Sequence, residues 1–265
     1  MKSKALVLAC LLLLPGTRSN AGAWPQPVDR IEVIVQAQIS HSDEEYNFQG
    51  DRQDRDPFRK VEFSAYSEWG LWSDLTLLGE IAYSNEQTET VFGDIGTTAL
   101  RRIELGARYH LFTLDETLYS IQPIAALQVT AESDDPFTTQ AGDVDYEIGL
   151  TTGRNTSLLG VPVFVDSLTS YRWRPQGRPD QMDFDVTMGA TLTEGGTKIF
   201  VQSLNFIEIG NETALAGRTR AHKLAASVLF PVHPHLSLQI GVGQTVAGEN
   251  IVAETVGQLG LWYAF

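Results

Sequence analysis

The chain has 265 residues, 33 acidic against 19 basic side chains, a formal charge of −14 and one cysteine. That charge argues against a nucleic-acid partner, since binding phosphates requires basic side chains that displace counterions. It leaves a membrane open as the chain's medium, because a barrel can keep its charges in its lumen and loops.

The first predicted element is an export signal over residues 1–21. Lys2 and Lys4 form a basic start, Ala5 to Leu14 an apolar stretch, and small residues follow. This pattern is too short for a spanning helix and reads as a secretory signal. Cleavage fits after Ala21, with Ser19 at −3, or after Ala23, with Ala21 at −3. Residues 22–265 then form one domain. Cys10 leaves with the signal, so the mature chain has no disulfide, thiolate chemistry or Cys-ligated metal. A lipoprotein reading of Cys10 would leave too little apolar segment before it. Loss of Lys2, Lys4 and Arg18 takes the charge from −14 to −17.

Beyond the signal, twelve windows alternate with period two, the pattern of a strand with one face toward an apolar medium. In the first, Ile31, Val33, Val35, Ala37 and Ile39 oppose Glu32, Gln36, Gln38 and Ser40. In the second, Val61, Phe63, Ala65, Trp69 and Leu71 oppose Lys60, Glu62, Ser64, Glu68 and Gly70. The third sets Leu75, Leu77, Ile81 and Tyr83 against Thr76, Glu80 and Ser84. The fourth sets Ile103, Leu105, Ala107, Tyr109 and Leu111 against Arg102, Glu104, Gly106, Arg108 and His110. The rest are Tyr119–Val129, Val144–Gly153, Val161–Trp173, Met182–Thr191, Lys198–Ile207, Lys223–Phe230, Leu236–Thr245 and Thr255–Phe265. In the window from Lys198, Phe200, Leu204 and Phe206 compete with Val201 and Ile207 for the outer face. Inward glycines, among them Gly106, Gly149, Gly189, Gly241 and Gly243, are expected to make room for long charged side chains.

Connection lengths alternate as well. His41–Arg59, Asn85–Leu100, Ala131–Asp143 and Glu208–Gly217 read as long loops, whereas Trp72–Asp74, Phe112–Thr117 and Pro231–His235 read as short turns. Long outer loops opposite short periplasmic turns, with an even strand number, predict an all-β fold: a transmembrane antiparallel β-barrel of 12 strands. Alternation alone is shared by a soluble β-sandwich with its charged face in water, and loop sorting is what separates the two.

With strand six running down from the outer rim, seven up and eight down, five lumen-parity residues converge at the mouth. These are Asp145, Glu147, Arg172, Asp183 and Asp185. Arg172 is expected between Asp145 or Glu147 on one side and Asp183 or Asp185 on the other. Such a cluster either selects solutes by charge or staples three strands together. A calcium site has the ligand types but no calcium-loop motif. Acids outnumber bases on the lumen parity as a whole, which favours cations in an open pore.

No Gly-x-Ser-x-Gly, HExxH, CxxC or phosphate-binding glycine loop is present, so no enzyme activity, cofactor or metal is expected. His41 beside Ser42 and Asp43 reads as solvated loop, and His233 with His235 as a weak metal pair at most.

The chain ends Leu259-Gly260-Leu261-Trp262-Tyr263-Ala264-Phe265. This closing strand, with Leu261, Tyr263 and terminal Phe265 on one face, resembles that of bacterial outer-membrane β-barrel proteins. The resemblance implies an outer-membrane location, lipid contact and recognition of that strand by the barrel-assembly machinery. The chain also resembles poorly characterised proteobacterial outer-membrane proteins grouped as aromatic-catabolism transporters, and Ala23-Trp24-Pro25-Gln26-Pro27 contributes to the likeness. That implies passive passage of small polar or aromatic solutes. The alternative is a structural or ligand-binding barrel that works through its outer loops.

Overall fold

The computed structural model describes residues 22–90, 93–129, 144–175, 178–210 and 218–265. The described strands are β1 (Ile31–Tyr46), β2 (Arg52–Trp72), β3 (Leu75–Thr90), β4 (Gly93–Leu114), β5 (Thr117–Gln128), β6 (Val144–Leu158), β7 (Val161–Trp173), β8 (Asp180–Thr191), β9 (Lys198–Ile209), β10 (Arg220–His233), β11 (Leu236–Glu249), β12 (Ile251–Val252) and β13 (Thr255–Ala264). Each long strand pairs antiparallel with its sequence neighbour, and β13 bonds to β11 on one side and β1 on the other. The β1–β13 register runs from Glu32 opposite Ala264 to His41 opposite Thr255. Ile31 and Phe265 exchange both backbone bonds at 2.9 Å, completing the seam. The result is a closed ring of twelve strands, with the two-residue β12 as an accessory.

Closure leaves no unpaired edge, the condition a sheet must meet in lipid. The two faces then invert the usual sorting of a soluble protein. Val35, Ile39, Phe63, Leu105, Ile148 and Val242 are exposed on the outside, whereas Gln36, Glu62, Glu68, Arg102, Arg108 and Arg172 are buried inside. A β-sandwich in water would bury the first set and expose the second. The exterior therefore matches a hydrocarbon medium.

Several connections are shorter than the sequence pattern predicts. His41–Arg59 is mostly strand: β1 and β2 stay paired up to Tyr46 opposite Arg52, leaving a five-residue turn over 47–51. Likewise β3 and β4 pair from Asn85 opposite Thr98 to Thr90 opposite Gly93, across the predicted loop Asn85–Leu100. These hairpins rise beyond the apolar belt. There the outward face carries polar residues such as His41, Asp43, Asn85 and Gln87, so the hydrophobic period vanishes while the inward face stays buried and backbone pairing continues. At the opposite end, Asp115-Glu116 (φ 47° and 66°) and Leu159-Gly160 (52° and 81°) form two-residue turns with both central residues left-handed. That geometry matches the twist of the flanking strands. The predicted loop Ala131–Asp143 lies outside the described residues, as does most of Glu208–Gly217.

The ambiguous ninth strand resolves inward for the aromatics. Phe200 and Phe206 are buried in the lumen and Val201 is exposed outside.

Candidate functional site

The lumen holds three layers. At mid-height, strand parity aims alternate charged residues inward, and a β-bulge adds one more. The β3–β4 register slips between Ala82 and Tyr83, so Ala82 faces Arg102 and Tyr83 faces Leu100. The extra residue, Arg101, turns to the same side as Arg102. Arg101 pairs with Glu86, and Arg102 pairs with Glu80 at 3.2 Å and Glu104 at 3.1 Å. Arg172 bonds Glu147 through Nε and Nη2, at 2.9 and 2.7 Å, and its Nη2 lies 3.5 Å from Glu104. Glu80, Arg102, Glu104, Arg172 and Glu147 thus form one zigzag of alternating charge from β3 through β4 to β7 and β6. A small void lies beside it, lined by Tyr66, Leu78, Glu80, Glu104, Gln122 and Ile124.

The predicted mouth cluster divides. Glu147 faces Arg172 across β6–β7. On the β8 side, however, Arg172 faces Gln181, and Asp183 faces Ser170. Asp183 accepts from Ser170 Oγ at 3.2 Å and Gln181 Nε2 at 2.6 Å. Asp185 accepts the backbone N–H of Asn205 at 3.0 Å. Asp145 binds Arg178 from the adjoining connection and accepts from Gln128 at 3.0 Å. The structure therefore brings Glu104, not Asp183 or Asp185, to Arg172 as its second carboxylate. Above the strands, Arg174 reaches Gln181 at 2.8 Å and Glu208 at 3.3 Å. Burial lowers the proton affinity of its guanidinium below the ordinary value, opposed by Glu208.

At the outer end, the last connection folds inward. Ser42 Oγ donates to Ala253 O at 2.8 Å, and Lys223 pairs with Glu254 at 2.5 Å. Ile251 and Ala253 of this connection pack with Tyr46, Phe206 and Ala221 as a buried apolar cap.

The periplasmic end, where the hairpin turns and the β1–β13 seam meet, is filled by the segment Gly22–Pro27. Arg108 is the socket. Its Nη2 is 2.6 Å from Glu68 Oε1, Nε donates to Gln122 at 3.2 Å, and Nη1 donates to Trp24 O at 3.1 Å. Gln26 Nε2 donates to the other Glu68 oxygen at 2.8 Å, Gln26 N to Thr76 Oγ1 at 2.8 Å, and Ser120 Oγ to Ala23 O at 3.2 Å. Two glycines allow this approach. A β-carbon on Gly70 would stand 2.0 Å from Pro27 O, and one on Gly153 2.8 Å from Ala23 Cβ. The Trp24 indole meets Phe164 edge-on (centroids 5.9 Å), followed by Phe200 (5.8 Å) and Trp262 (6.2 Å) in an aromatic row across the lumen. Gly189 makes room for the Phe164 ring and not for a charged side chain as the sequence suggests.

The alternation pattern missed this plug because Trp24-Pro25-Gln26-Pro27 has no period. Its one sequence signal was glycine at inward positions 70 and 153. Leu261, Tyr263 and Phe265, by contrast, share the exposed outer face of β13 and its end.

His41 lies in β1 rather than in a loop, on the exposed face, while Ser42 is buried on the other, so the two cannot act together. Outside the barrel, the Asn205 amide donates to Ser203 Oγ at 3.1 Å and its oxygen contacts His222 Nδ1. The amide stands between serine and imidazole, unlike a nucleophile held on its base. His235 Nδ1 contacts Ala264 O at 3.0 Å. Among the described residues no group of three or more His, Cys, Asp or Glu is placed to hold a metal ion.

No family model and no curated protein matches the chain. Solved structures do. An outer-membrane channel from Pseudomonas putida F1 superposes with a TM-score of 0.70 over 94% of this chain and 100% of that one, at 13% identity. The NanC porin gives 0.53 over 86% and 98%, at 8% identity. The translocator domain of the autotransporter NalP from Neisseria meningitidis gives 0.52 over 89% and 88%, at 11% identity. At such identities the likeness is one of fold. The closed barrel, its apolar belt and this shared fold make the chain an outer-membrane β-barrel.

Proposed function

We propose that the protein is a passive outer-membrane channel for small polar or aromatic solutes, closed at rest by its own N-terminal segment. The observation that carries this reading is the nature of the periplasmic closure. With the expected signal removed, Gly22–Pro27 becomes a chain end held by hydrogen bonds and one aromatic contact, so it can leave without disturbing any strand. Above it lie ion pairs whose partners can exchange to open a passage, and the aromatic row offers flat surfaces to aromatic solutes. The likeness of fold to a channel over 94% of this chain agrees. Lipid and the assembly machinery are the expected partners.

Planar-bilayer recording tests the reading. The wild type should open rarely, and the protein lacking residues 22–27 should conduct steadily with a preference for cations, since the zigzag has three carboxylates to two guanidiniums. Silence in both proteins overturns it. A structural or ligand-binding barrel would then be favoured by the raised β1–β2 hairpin, where Arg52 pairs with Glu44 at 2.7 Å and Phe48 stands exposed.

A further inference from the structure

Asp166 on β7 faces the lumen, is buried, and its Oδ2 has no hydrogen-bond partner. Its cross-strand neighbours are Gly153 and Thr187, neither of them a cation. Arg108, the guanidinium of the socket, is bonded to Glu68 and Trp24. A carboxylate in that position is costly unless a positive charge reaches it. Gly22 is buried beside it. A β-carbon built on Gly22 would lie 3.4 Å from Asp166 Oδ2. Its α-carbon, one bond back, is therefore within about 5 Å, and the α-nitrogen is one further bond away.

In the precursor that nitrogen is an amide. Hydrolysis of the Ala21–Gly22 bond makes it an α-ammonium, while water supplies the new carboxylate of the released signal. We infer that signal cleavage falls after Ala21 and that the ammonium so created docks on Asp166 as a lock for the plug. The alternative cut after Ala23 would remove both Gly22 and Ala23. It would discard the Ala23 carbonyl that Ser120 holds and leave Asp166 facing an empty seat. Maturation thus creates the missing cation at the unpaired carboxylate.

Intact mass of protein purified from outer membranes gives the first test. A chain beginning at Gly22 supports the lock, and one beginning at Trp24 overturns it. The second test compares four proteins: the processed wild type, a refolded chain that keeps one methionine ahead of Gly22, and Asp166→Asn in each background. The retained methionine leaves the barrel untouched and moves the ammonium by one residue. Either change alone should lower the melting temperature and raise the open probability several-fold, and the two together should do no more than either one. Additive effects, or no effect of the methionine, overturn the inference. Mass and melting are read whether or not the barrel conducts, so a failed channel reading and a failed lock remain distinct.

Discussion

Arg172 holds two carboxylates from different strands, Glu147 on its neighbour and Glu104 with two strands between them. At 5% exposure it is a buried charge whose partners would face each other if it were removed. Arg172→Ala should therefore cost roughly 3–5 kcal/mol, beyond the ~1 kcal/mol of a solvated pair, read as a fall in unfolding temperature of the refolded barrel. In the open state it should also shift the reversal potential toward cations. Replacing Asp183 and Asp185 together by Asn should leave ion preference nearly unchanged, because Ser170, Gln181 and the Asn205 backbone hold those carboxylates away from the zigzag. A large shift in reversal potential would refute that assignment. Parity told which of these residues face inward, since lipid permits no charge on the other face. It could not tell their partners. A slip of two residues preserves parity, so only the register, Arg172 opposite Gln181, separates Glu104 from Asp183 as the second ligand.

The same division holds for elements. Windows such as Ile31–Ile39 and Ile103–Leu111 were legible because a lipid face imposes period two along them. The upper hairpins over 42–58 and 85–100 were not, because above the lipid belt their outward face is polar too, which removes the hydrophobic pattern although pairing and inward burial persist. The plug was illegible for a third reason: it is neither helix nor strand, and tertiary contact alone gives it a shape. Gly70 provides its test. A β-carbon there would collide with the backbone carbonyl of Pro27, which no rotamer change can relieve. Gly70→Ala should expel the segment while the strands stay paired, at an overpacking cost of about 1–3 kcal/mol if it is forced to remain. Protease added to the folded barrel should then cut within residues 22–30 many times faster than in the wild type, with the barrel band intact on an unheated gel. Equal cutting rates would show that the socket tolerates the methyl group and that the segment is held otherwise.

For the molecule as a whole, everything rests on one seam. Eleven of the twelve strand pairings join strands that follow each other, β12 aside, and form from local hairpins. The pairing of β1 with β13 joins residues more than two hundred positions apart. Loop closure of that length forms late and has no local turn to fix its register. Phe265 extends that pairing to the start of β1. Phe265 exchanges two backbone bonds with Ile31, and its ring packs 5.3 Å from Tyr263 on the outer face, next to exposed Leu261. Phe265→Asp would place a charge at the lipid boundary on the strand that must find β1 unaided. It should lower the yield of assembled barrel several-fold. A comparable charge change in the β1–β2 hairpin, such as Arg55→Glu, should not, because that hairpin closes through its own turn. The readout is the fraction of outer-membrane protein that runs faster unheated than boiled on a denaturing gel, since a closed barrel resists detergent until heated. If both variants assemble equally, the seam is fixed by the remaining pairs of β13, and the terminal ring serves lipid contact alone.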